Sequence, residues 1–101
     1  MPIPYEPVVW PVGPPTDRAD IPALCARLHV FLREHPHATV LCDVRALDVP
    51  DLTTVEALLR LQLAARRLRR EIRLCHVPDA LRLVLTLTGL HEALPTHPAD
   101  G

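Results

Sequence analysis

ATVLCDVRALDVPDLTTVEALLRL, residues 38–61, decides how this chain folds. Its first part, ATVLCDV (38–44), is an unbroken apolar run rich in β-branched residues. It is too short for a helix, and its length and flanks predict a strand buried on both faces. Asp43 is a polar intruder near its end. RALDVPD reads as a loop, and from Leu52 the spacing predicts a helix to about Arg70. At 100° per residue, Thr53, Glu56, Arg60 and Arg67 fall on a narrow polar strip. Leu58, Leu61, Ala65 and Leu68 lie opposite and should pack on a sheet. A second apolar stripe, Leu52, Val55, Leu59 and Leu63, stands at an angle to the first. It needs a cover, by default a neighbouring helix and otherwise a protein partner. Thr53-Thr54-Val55-Glu56 has the form of a capping box, a hydroxyl followed three residues later by glutamate, with Asp51 as a competing N-cap.

Outward from this stretch the same two patterns alternate. On the N-terminal side, VVWPV predicts a short strand, at an edge or broken at Pro11, because proline donates nothing to a ladder. DIPALCARLHVFLREH follows, with Ile21, Leu24, Cys25, Leu28, Phe31 and Leu32 in one helical stripe. Asp20 is the expected N-cap, Pro22 suits the first turn, and Pro36 ends the helix. On the C-terminal side, EIRLCHV (71–77) predicts a strand. Pro78 and Asp79 then open a third helix, DALRLVLTLT, with Gly89 as its left-handed C′ residue, and LHEAL adds a short turn. The order β-α-β-α-β-α implies an α/β sandwich with right-handed crossovers, its helices on one face of a small sheet. The chain shows no internal repeat and no linker, so residues 1–101 read as one domain with a core over about 8–94. The proline-rich ends should be irregular, and the last several residues loose.

Composition narrows the function. Half of the 101 residues are apolar but only three are aromatic, so the core must be aliphatic. A net charge of −1 favours no polyanionic partner, and nucleic acid is not expected. All eleven basic residues are arginine, and serine is absent, which removes serine nucleophiles. Cys25, Cys42 and Cys75 sit in apolar runs and are odd in number, the pattern of buried reduced thiols in a cytoplasmic protein. No apolar run reaches the roughly 18 residues of a membrane helix, and MPIPYEP lacks a signal-peptide pattern.

Together these features resemble the STAS domain, the fold of the bacterial anti-sigma factor antagonists. The resemblance runs from about Val8 to Leu94 through VLCDVRALD, LTTVEALLRLQLAARRLRR, EIRLCHVPDALRLVL and LTGL. It implies a small α/β sandwich with a three- to four-stranded, mainly parallel or mixed sheet and three to four helices. In the regulatory members the central loop reads aspartate, serine or threonine, a second small hydroxyl residue, glycine, then an aliphatic residue. Asp51 matches the aspartate, Leu52 falls on the phosphorylated position, Thr53 on the second hydroxyl, Thr54 replaces the glycine, and Val55 is the aliphatic residue. Leucine takes no phosphate, so only Thr53 or Thr54 remains as a substitute acceptor.

The resemblance therefore implies a non-catalytic regulatory module acting in transcriptional signalling. It would bind an anti-sigma factor kinase or a similar switch protein through Asp51, Leu52, Thr53, Thr54, Val55 and Glu56, with Leu59 and Leu63 as apolar extensions. The alternative is an accessory subunit of a lipid-transport ABC ATPase complex, and a homodimer through the leucine stripe is a third reading. No cofactor is expected. Asp43, Asp48 and Asp51 are carboxylates near one loop, but no histidine or nucleophile is tied to them by spacing. Cys25 with His29, and Cys75 with His76, fall short of the four convergent ligands of a zinc site. The arginines at 66, 67, 69, 70 and 73 read as a solvated helix end.

Overall fold

The computed structural model describes residues 7–15 and 17–97. The irregular ends expected at residues 1–6 and 98–101 lie outside the described residues. Three strands form one parallel sheet in the order β1 (Val8–Pro11), β2 (Val40–Asp43), β3 (Ile72–Cys75). Val8 pairs with Val40 and Val40 with Ile72, so the register runs straight across. Pro11 closes the edge strand, where its missing N–H costs no ladder bond. Beyond β3, Thr96 makes a parallel bridge with Leu74, held by Leu74 N to Pro95 O and His97 N to Leu74 O, both 2.8 Å. Pro95–His97 are therefore tied to the sheet and not loose.

Helices α1 (Ile21–Glu34), α2 (Leu52–Arg67) and α3 (Asp79–Leu87) follow the strands in turn. With strands in sequential order, right-handed crossovers place α1 and α2 on the same face. Val40, Cys42, Ile72 and Leu74 of the sheet share one core with Leu28 and Leu32 of α1, Leu58 and Leu61 of α2, and Leu81 and Leu85 of α3. The core is aliphatic, with Trp10 and Phe31 packed at its margin, their ring centroids 6.3 Å apart. β2 is buried along Val40, Leu41 and Cys42, as its sequence predicts.

Three local expectations need correction. Asp20 stands at the N-cap of α1, as expected, but makes no side-chain cap bond there; its carboxylate accepts from Asp17 N–H, and Asp17 in turn accepts from Ala19 N–H. This reciprocal pair caps a 3-10 turn, Arg18–Asp20, that runs directly into α1. Helix α2 stops at Arg67, not Arg70, because Arg69 takes a left-handed φ of 58°. Arg69 N–H then reaches Arg66 O and Arg70 N–H reaches Ala65 O, a Schellman closure made without glycine. Nor is Arg70 part of a solvated helix end: its guanidinium donates to Leu32 O, His35 O and Ala38 O at 2.8–3.0 Å, fastening the end of α1. Helix α3 closes as expected, on Gly89 at φ 73°, with Gly89 N to Thr86 O and Leu90 N to Leu85 O.

Candidate functional site

In a parallel sheet with sequential crossovers, every helix begins at the carboxyl end of the strand before it. The loop from β2 to α2 therefore stands at that end, beside the start of α1. Two anchors hold it: Val44 N–H donates to Cys75 O, extending the β2–β3 ladder, and Leu47 is buried, its N–H on Val44 O. Asp43 accepts from Arg45 N–H at 3.1 Å and from its Nε at 3.0 Å, which closes the first turn of the loop. With Val44 and Leu47 inside, the alternate apolar residues face water. Val49 is 85 % exposed and Leu52 87 % exposed.

Asp51 is the N-cap of α2. Its Oδ1 accepts from Thr54 N–H at 2.9 Å and from the Thr54 hydroxyl at 3.0 Å, and that hydroxyl accepts from Asp51 N–H. The capping box is therefore Asp51 with Thr54, not Thr53 with Glu56. The aspartate carboxylate reaches the orphan N–H groups first, so Glu56 is left for another partner. The Thr54 N–H and hydroxyl hold the Asp51 carboxyl below the usual carboxylate range. For Asp43, partial burial pushes upward, but the Arg45 N–H and guanidinium outweigh it and the net shift is also downward.

The structure brings some predicted residues together at an exposed tip and withdraws others. Asp51 and Leu52 are exposed, Thr53 and Val55 half-buried, and Thr54 buried within the cap. Leu59 is half-buried against the core, and Leu63 is 51 % exposed. Among the described residues no helix covers the two ends of this second stripe, contrary to the default expectation. Glu56 points sideways: it pairs with Arg18 at 2.9 Å, ahead of α1, and reaches Arg60 only at 3.7 Å. Sequence reasoning missed Val49 and Arg18. Val49 carried a signal, an aliphatic residue inside the turn-forming DVPD, whereas Arg18 is remote in sequence and only the fold brings it to α2.

The loop carboxylates do not form an acid–base pair by their bonding: Asp43 holds Arg45, Asp51 caps α2, and Asp48 is exposed. Among the described residues no cluster of three or more histidine, cysteine or acidic side chains is placed to hold a metal ion. No helix among them is long and apolar enough to cross a membrane. None of the three cysteines forms a disulfide; Cys42 and Cys75 are buried, and Cys25 is half-buried on α1.

Comparison with curated proteins finds no match. A profile of the STAS domain, in contrast, matches residues 3–99, which spans all three strands, all three helices and the β2–α2 tip. With this coverage, and with the small parallel α/β architecture described above, the chain belongs to the STAS domain family.

Proposed function

We propose that this STAS domain docks a regulatory protein through the tip formed by Val49, Asp51, Leu52 and Thr53, and that the partner is an anti-sigma factor kinase or a related switch protein. STAS domains are generally non-catalytic regulatory or binding modules. The observation that carries the finer reading is Leu52, an exposed leucine on the first turn of a helix capped by Asp51. An exposed aliphatic residue there adds nothing to the core and leaves apolar surface in water, about 25 cal/mol per Å² of which is recovered on docking. Its neighbours Asp48 and Asp51 are exposed carboxylates. The fitting partner surface is an apolar pocket with a basic rim.

A phosphate at this helix start would be favoured by the free N–H groups and the dipole, yet repelled by a partner built for a neutral surface. Leu52 removes that switch at the usual position. Thr54 is engaged in the cap, so Thr53 is the hydroxyl left for modification. The domain reads as a constitutive binder.

The test is affinity capture from the native host with the wild-type chain and with Leu52→Glu and Thr53→Glu. Capture of an anti-sigma kinase by wild type alone, with melting temperatures unchanged, is the expected result. Equal capture by Leu52→Glu would remove the tip from the interface. Capture of a transport ATPase in place of a kinase would assign the domain to a transporter complex, and phosphate found on Thr53 would overturn constitutive binding.

A further inference from the structure

Helices α1 and α2 do not close on one another along their whole length. Between them runs a groove of about 620 Å³, within the roughly 300–1,000 Å³ of small-molecule sites. Its apolar lining is Ile21, Pro22 and Cys25 of α1 with Leu63 and Ala64 of α2; Ile21 is buried, Cys25 and Ala64 are half-buried, and Pro22 and Leu63 are exposed. Its rim is cationic: Arg18, Arg60 and Arg67 against the single acid Glu56. Glu56 pairs with Arg18 at 2.9 Å and also reaches Arg60 at 3.7 Å, so one acid faces three guanidinium groups and the rim keeps a net positive charge, with Arg67 two turns beyond Arg60 on α2. A second hollow of about 390 Å³ continues past Cys25 towards His29 and shares Cys25, Ala64 and Arg67 with the first. Arg60 and Arg67 line the same groove as Cys25; burial raises the Cys25 thiol, and the charges of these two arginines act against that rise.

An apolar groove whose lining also carries guanidinium groups is complementary to a chain with one charged end. We propose that the α1–α2 groove binds a small amphipathic anion, an aliphatic chain ending in a carboxylate, with the chain along Cys25 and Leu63 and the carboxylate on Arg60 and Arg67. The guanidinium fork matches a carboxylate in geometry as well as charge. This site is separate from the docking tip and stands or falls independently of it.

Octanoate and 1-octanol share one chain length and differ in charge, so they are the probes. Each is titrated into the full chain, following backbone amide shifts and, by mass spectrometry, the alkylation of Cys25 by iodoacetamide at alkaline pH. Octanoate is expected to shift Ala19, Cys25 and Ala64 saturably, to slow Cys25 alkylation, and to bind more tightly than octanol. In the variant R60Q/R67Q, whose altered side chains are exposed, octanoate should bind about fivefold more weakly and the advantage over octanol should vanish. Octanol binding as well as octanoate, shifts centred on Val49 and Leu52, or no saturation below the micellar range would each overturn the proposal. So would a glutamate-rich peptide that occupies the groove while octanoate does not, since the groove would then be a protein contact.

Discussion

Gln62 is the side chain on which α2, the sheet and the turn after α3 meet. It is buried on α2, yet all its bonds lead away from α2: Nε2 donates to Ile72 O at 3.2 Å and Ala93 O at 2.9 Å, and Oε1 accepts from Ile72 N–H at 3.0 Å. Gln62→Ala leaves those groups without partners inside the protein. The loss should be about 2–3 kcal/mol, read by urea denaturation. Asp51 and Asp43 set a different behaviour at the same scale. Both carboxyls are held below their free value of 3.8 by bonds that only the folded state makes. The unfolded chain therefore takes up these protons first as pH falls. Their stabilisation is complete above the free value and is lost as pH drops through the lower folded ones. Thermal melts between pH 6 and pH 2 should show a falling Tm below about pH 4, with a shallower fall in Asp51→Asn, whose side chain caps without titrating.

Helices α2 and α3 end by the same device with opposite residues. Both close with a 6→1 bond to the third residue from the end, Arg70 N to Ala65 O and Leu90 N to Leu85 O. The left-handed position is Gly89 after α3 and Arg69 after α2. A side chain there meets the preceding carbonyl, and glycine avoids that cost. A Cβ at Gly89 would touch nothing within 4 Å, so only the backbone term applies. Gly89→Ala should destabilise by about 1 kcal/mol and Arg69→Gly should stabilise by about the same amount. Paired thermal melts of the two variants, moving in opposite directions, are the check.

Across the whole molecule, Arg70 does what no single element does. It lies between α2 and β3 yet binds the Leu32 carbonyl in the last turn of α1 and the His35 and Ala38 carbonyls of the α1–β2 connection, so it locks the first crossover to the second. Arg70→Ala should cost about 1–3 kcal/mol by chemical denaturation. Arg70→Lys should restore only part, because a point ammonium does not span the three acceptors that a planar fork reaches. The β2–α2 tip should retain its amide shifts in both variants, since Leu47, Val44 and Asp51 hold it at the other end of the sheet.

Local chemistry made the element order legible, and with it the family. ATVLCDV and EIRLCHV read as buried strands, the α1 and α2 stripes as helices, Pro11 as a sheet edge and Gly89 as a helix stop, because each of these depends on residues within one or two turns. The start of α2 as an exposed feature of the chain was legible for the same reason. What sequence left open turned on competition and distance. Asp51 and Thr53 were both plausible caps, and the folded loop chose Asp51. Arg69 carries no glycine signal for the reversal that ends α2. Gln62, Arg70 and Arg18 find their partners ten to 38 residues away, across crossovers that no local pattern encodes. The sequence by itself determined which segments are strands and helices and which faces are apolar, since periodicity is a property of neighbours. Only the tertiary structure decided which apolar residues stay uncovered, Val49, Leu52 and Leu63 among them, because exposure depends on what the rest of the chain packs against.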